Sequence, residues 1–231
     1  KRYGTFAGTG ITSFRMPSNL QYIAPETFRN CEQLKTFYIG KAFHGKINYG
    51  EEGDPDTLFL YYAPIRLIQI DKENTSYQLQ NEILYTRDGH ILCQALKNDN
   101  ADSQLTIPSC VTEIADGAFY RNSEFGAIEV KGSLERIGIS AFACADVGSF
   151  YVKGGVNYLD RGSFYQSAIS EWRCHGGVKK YEKSAFQDVD ATNGYAIDMN
   201  AITKLYQELL YVNATTDLSY WVKTIWNWII M

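Results

Sequence analysis

The sequence predicts an α/β repeat solenoid: a right-handed superhelix of short parallel strands, with one inserted β-hairpin and a C-terminal helical cap. Three observations predict it. Phenylalanines recur at Phe119, Phe142, Phe164 and Phe186, spaced by 23, 22 and 22 residues. Eight to eleven residues past each lies an apolar–x–apolar triplet, the period-two signature of a short, half-buried strand. A unit this small cannot bury its apolar side alone, so neighbours must stack into a continuous core.

Taken in order, the first unit holds Phe6, in "RYGTF", and the triplet Phe14-Arg15-Met16. The second runs through "SNLQYIAPETF" to Phe28 and the triplet Phe37-Tyr38-Ile39. An insertion over about 40–57 precedes Phe59, which lies nine residues before Ile68-Gln69-Ile70 and is expected to be the third rung. A second insertion, about 71–104, contains "NEILYTRDGHILCQAL", two apolar runs around Asp88-Gly89, a strong hairpin signal. That hairpin is expected to project from the array. Phe119, Phe142, Phe164 and Phe186 then lead to Ile128-Glu129-Val130, Phe150-Tyr151-Val152, Trp172-Arg173-Cys174 and Tyr195-Ala196-Ile197. Apolar pairs three apart (Leu20/Ile23, Leu134/Ile137, Val156/Leu159, Val178/Tyr181) precede rungs and are expected on an irregular or short helical back. A small residue precedes most rungs (Thr5, Thr27, Ala118, Ala141, Ser163, Ala185), leaving room for the adjacent turn of chain. The array therefore spans residues 1–198 as seven units.

Residues 199–231 break the period. "NAITKLYQELL" places apolar residues at helical spacing, and the tryptophan-dense "YWVKTIWNWIIM" follows. The last unit of a solenoid leaves an apolar end that a terminal segment must cover, so this stretch reads as a helical cap. An exposed aromatic patch for a partner or glycan, and a frame-altered end, remain as alternatives.

A 22–23-residue unit with one strand falls within the range of leucine-rich repeats. "LTIPSCVTEIADGAFYRN" (105–122) and "MPSNLQYIAPETFRNCEQLKTFYI" (16–39) are similar to the BspA-like leucine-rich repeats of bacterial surface proteins. The second keeps that family's cysteine, as Cys31, and the first has Asn122 in its place. Later units lose the proline and usually the cysteine. The resemblance covers about residues 5–198, including the hairpin that commonly interrupts such arrays. It implies a noncatalytic, secreted or cell-surface module that adheres to host proteins or other cells.

Composition bounds the alternatives. With 45% hydrophobic and 21% charged residues the chain has globular values. A net charge of −4 argues against nucleic acid as a partner, and no apolar run reaches membrane-spanning length. Lys1 in place of Met reads as a mature or trimmed start, which says nothing about export. The five cysteines (31, 93, 110, 144, 174) lack any Cys-x-x-Cys and read as buried free thiols. "GKAFHGKI" (40–47) has phosphate-loop spacing but no Ser or Thr next and no helix-forming sequence behind it. "DKENTSYQLQNE" (71–82) has acidic residues at calcium-loop positions but lacks the central glycine. The three histidines are scattered over different units. No catalytic group, metal site or cofactor is expected.

What remains is surface. In each triplet the central residue faces out, and stacking should align these residues into one continuous band: Arg15, Tyr38, Gln69, Glu129, Tyr151, Arg173 and Ala196. Thr36, Lys131, Lys153, Glu171 and His175 lie beside it. Tyr and Arg are the residue types most enriched at binding hot spots. The band is therefore the candidate binding face for a protein ligand, an extracellular-matrix or other cell-surface protein, with a glycan as a second candidate. A scaffold or accessory domain of a glycan-binding or glycan-processing surface protein is the alternative function. A stalk would need only a featureless band.

Overall fold

The computed structural model describes residues 4–51, 54, 56–96, 103–122 and 125–187. The cap assigned to 199–231 and the triplet at 195–197, with Ala196, lie outside the described residues. The strands are β1 (Ser13–Arg15), β2 (Thr36–Ile39), β3 (Lys46–Ile47), β4 (Thr57–Leu58), β5 (Leu67–Ile70), β6 (Tyr77–Gln80), β7 (Ile83–Thr86) and β8 (Ile91–Ala95). They continue as β9 (Ser103–Ile107), β10 (Glu113–Ile114), β11 (Phe125–Val130), β12 (Leu134–Ile137), β13 (Asp146–Val152), β14 (Val156–Leu159), β15 (Ala168–Cys174) and β16 (Val178–Tyr181).

These strands make a parallel β-solenoid of about seven turns. Three turns form an N-terminal sheet in the order β1-β2-β5, and four form a C-terminal sheet in the order β15-β13-β11-β9. One turn of the second array, β9, escapes a reading indexed on phenylalanine. Its rung is Ala95, whose N–H donates to Ala118 O as Phe119 N–H does to Ala141 O and Phe142 N–H to Ser163 O.

The back of the second array is a sheet as well, not an irregular or helical face. The apolar pairs three apart lie on β12, β14 and β16, and the sheet order is β16-β14-β12-β10-β8-β7-β6. Leu134 and Ile137 point inward while Glu135 and Arg136 between them face out, which disguises the strand in a period-two search. Among the described residues no α-helix occurs, only 3-10 turns at Pro25–Phe28 and Leu60–Tyr62. The corners around the rungs explain why. The residues two before and two after a rung hold positive φ: Gly117 and Arg121 around Phe119, Ser140 and Cys144 around Phe142, Gly162 and Gln166 around Phe164. Left-handed residues at that spacing cannot continue a right-handed helix.

The rungs stack as expected in the second array. Phe119–Phe142, Phe142–Phe164 and Phe164–Phe186 lie at 4.6, 5.0 and 5.2 Å between ring centroids, within 10° of parallel. Phe150 and Trp172, from the strand side, form a second stack at 5.0 Å. In the first array Phe6 stacks on Phe28 at 5.7 Å, but the ladder stops there. Phe59 is not a rung. Leu58 and Leu60 on either side of it are fully buried, so alternation turns Phe59 outward against Tyr61 and Tyr62.

The hairpin does not project either. β6 and β7 pair antiparallel, β7 pairs antiparallel with β8, and β8 pairs parallel with β10, so the insertion extends the back sheet. Its side chains serve two cores. Ile83, Tyr85, Leu92 and Ala95 belong to the core of the second array, and Leu84, Cys93 and Leu96 to that of the first. A strand buried on both sides cannot stand away from the molecule. Asn74 anchors the approach: its side-chain amide donates to Gly40 O and Phe43 O, both at 2.8 Å, and its Oδ1 accepts from the N–H groups of Ser76 and Tyr77. Residues 71–76 are thus a structural turn, and the stretch continues into β6.

All five cysteines are free. Cys31, Cys93 and Cys174 are buried, whereas Cys110 is exposed and Cys144 half-exposed, so only three fit the buried-thiol reading. Cys31 Sγ donates to Phe6 O in the preceding turn, and Asn122, its counterpart, donates to Leu96 O.

Candidate ligand-binding face

The six described residues of the expected band are brought into two rows rather than one. Arg15, Tyr38 and Gln69 are register partners across β1, β2 and β5. Glu129, Tyr151 and Arg173 are partners across β11, β13 and β15, with Thr106 of β9 completing that row. β5 and β9 end separate sheets because the hairpin intervenes, so no continuous band runs the length of the molecule.

In the N-terminal row the Arg15 guanidinium lies over the Tyr38 ring, 3.9 Å from its centroid. Tyr38 OH donates to Asp71 Oδ2 at 2.8 Å, while Asp71 Oδ1 accepts from Glu73 N–H at 3.0 Å. Those two hydrogen bonds, the backbone one first, hold the Asp71 carboxyl below its ordinary range, and the bond to Asp71 raises the Tyr38 phenol. Lys41 pairs with Glu73 nearby. Arg15, Met16, Pro17, Ser18, Tyr38 and Asp71 line an open hollow of about 330 Å³. Arg15 makes no ion pair with a carboxylate among the described residues.

The C-terminal row is internally paired. Glu129 contacts Lys131 and also Lys153 at 3.3 Å, and Arg173 contacts Glu171. The hydrogen bond from Lys131, above all, holds the Glu129 carboxyl low. Tyr151 OH lies 2.7 Å from His175 Nε2, with the two rings edge to face.

A third cluster, on the back sheet, was not anticipated from the sequence. Arg136 Nη1 donates to Glu113 at 2.8 Å, and its Nη2 reaches Asp116 at 2.5 Å and Asp160 at 2.9 Å. Asp116 Oδ1 also accepts from Ile139 N–H at 2.8 Å. Burial pushes the Asp116 carboxyl up to about 6, against the pull of the guanidinium and that N–H. Gly138 makes the space: a Cβ there would sit 2.4 Å from Asp116 Oδ1. The only forewarning was the acidic residue one or two places past the inward Leu159 and Ile114, at Asp160 and Asp116. The cluster ties three turns together and offers no open position to a ligand.

No group of three or more metal-ligating side chains occurs among the described residues. His44 and His90 each bond a backbone carbonyl through Nδ1, and His175 bonds Tyr151. No helix among the described residues is long and apolar enough to cross a membrane.

A family model described as BspA type Leucine rich repeat region matches the chain in six copies, over residues 2–49 and 89–193. No curated protein matches it. The crystal structure of the pneumococcal vaccine antigen PcpA is similar over 76% of this chain, at 16% identity and a TM-score of 0.54. The chain spans 58% of that structure's length, and the likeness concerns the fold alone. A leucine-rich repeat protein from Eubacterium ventriosum is similar over 80% of this chain and 66% of its own, at 15% identity and a TM-score of 0.42.

Proposed function

The chain belongs to the BspA-type leucine-rich repeat family, and from that premise we propose that it is a noncatalytic binding module of a secreted or cell-surface protein, recognising a protein ligand through the outward faces of its front sheets. The observation that carries this reading is the register. Parallel strands place Arg15-Tyr38-Gln69 and Glu129-Tyr151-Arg173 side by side on rigid, stacked supports. Amphipathic rings and guanidinium groups held this way lose little freedom on contact, which favours affinity per unit of area. A repeat array that sets the outward residues of successive turns side by side is suited to extended contact with a macromolecule rather than enclosure of a small one.

The test is a screen of the purified chain against extracellular-matrix proteins and a glycan array, repeated with the Tyr38→Ala, Tyr151→Ala, Arg173→Ala triple variant. Capture of a matrix or cell-surface protein, weakened at least tenfold by the triple variant with unchanged melting, supports the reading. Capture that the triple variant leaves intact moves recognition off the front sheets. Glycan capture alone would favour the accessory-domain alternative.

A further inference from the structure

The two rows differ in a way that assigns a chemistry to one of them. Beside its front strands the N-terminal sheet carries Arg15, Lys35, Lys41, Arg66 and Lys72 against Asp71 and Glu73, the latter paired with Lys41, a surplus of three positive charges. Among the described residues beside the C-terminal front strands, three basic residues face three acidic ones, with no surplus. All five N-terminal cations are exposed. This positive field stands on a chain whose net charge is −4, so it is a local feature and not a reflection of composition.

Within that field Arg15 is held ready. Its guanidinium sits over the Tyr38 ring, and Tyr38 is pinned by Asp71, so the fork is placed before any partner arrives. Asp71 makes no ion pair with it. The Asp71 oxygens accept from Tyr38 OH and Glu73 N–H, and Lys41 and Lys72 share in balancing the carboxylate that those bonds keep ionised. Beside the fork the hollow offers Met16 and Pro17 as an apolar floor and the Ser18 hydroxyl at its margin. A guanidinium fork matches a carboxylate in two parallel hydrogen bonds, and an apolar floor suits the methylene stem that carries a side-chain carboxylate.

Building on the binding-module reading, we propose that the N-terminal sheet around Arg15 is a docking site for an acidic polypeptide segment, with one of its Asp or Glu carboxylates seated on the Arg15 fork over the Met16–Pro17 floor. Charge complementarity selects this occupant, since Lys35 and Lys72 flank the strands and would meet neighbouring acidic side chains. The paired C-terminal row contributes little to it.

The test uses the full chain and an immobilised glutamate-rich decapeptide, with its glutamine counterpart and heparin as comparison arms. Binding of the glutamate peptide, absent for the glutamine one and weakening as salt rises, is expected. Arg15→Gln should weaken it about tenfold, as loss of one charge-assisted pair would. Arg15→Lys should recover only part, and Arg173→Gln should change it less than twofold. Melting of each variant should match the parent. Equal binding by Arg15→Gln, or no binding of the glutamate peptide by the parent, overturns the proposal. Arg15-dependent binding of heparin without the peptide overturns the choice of polypeptide. A protein captured through Tyr151 and Arg173 while the acidic peptide fails would leave the binding-module reading standing and sink this one.

Discussion

The N-terminal and C-terminal arrays solve the same packing problem with different regularity. In the C-terminal array four phenylalanines stack within 10° of parallel, and the corners flanking the first three repeat left-handed residues at fixed offsets. In the N-terminal array only the rungs Phe6 and Phe28 stack, the strand-side pair Phe14–Phe37 is tilted by 33° where Phe150–Trp172 is tilted by 12°, a 3-10 turn replaces one corner, and Phe59 leaves the core. Strict period lets every ring find the same neighbour one turn away, whereas the insertions at 40–57 and 71–104 change the distance each N-terminal ring must bridge. The irregular array is also the one with a surplus of basic residues beside its front strands. Regular turns repeat their surface pairs as well as their core, as Glu129, Lys131 and Lys153 do, and so neutralise themselves.

The comparison can be broken most severely at the rungs. Phe142→Ala removes a ring stacked on both sides and should cost about 3–5 kcal/mol, read as a fall in the urea midpoint. Phe59→Ala should cost only about 1–2 kcal/mol, because its ring is half-buried outside either core. Equal losses would restore Phe59 as a rung. The next largest effect lies at the seam. Asn48 is fully buried, donates to Cys93 O and Gln94 Oε1, and accepts from Leu60 N–H at 2.7 Å. Asn48→Ala should cost about 2–3 kcal/mol by orphaning those groups, and should split one unfolding transition into two.

Two smaller changes sharpen the regular side. Gly138→Ala forces Asp116 away from Arg136 and should destabilise by about 1–3 kcal/mol, with Arg136→Met in the same background relieving little of it. Ser140 stands at φ 52° where the equivalent corners have Gly117 and Gly162. Ser140→Gly should therefore stabilise by about 1 kcal/mol, seen as a rise in Tm of a few degrees.

Much of this architecture was legible in the sequence, and what was missed has physical causes. The phenylalanine spacing and the small residue before each rung led directly to the ladder, because stacking geometry tolerates little variation. Arg15, Tyr38 and Gln69 could be aligned from triplets alone, since register in a parallel sheet follows the repeat. The back sheet was hidden because its inward residues sit three apart, a spacing shared with loops and helices. β9 was hidden because Ala95 takes the rung position and gives nothing to index from. The buried hairpin did carry a signal: "ILY" and "ILC" are continuous apolar runs, which mark strands covered on both faces. Asp88-Gly89 located the turn but could not tell where the strands would dock.

The division into two cores sharing one hairpin is tested most directly by pulsed thiol labelling of Cys31, Cys93 and Cys174, read by mass spectrometry in Phe28→Ala and Phe164→Ala. Cys31 and Cys93 lie in the N-terminal core and Cys174 in the C-terminal one. Phe28→Ala should speed labelling of Cys31 and Cys93 while Cys174 stays protected, and Phe164→Ala should expose Cys174 while the other two stay protected. Equal acceleration of all three thiols in both variants would mean a single undivided core and would contradict the account.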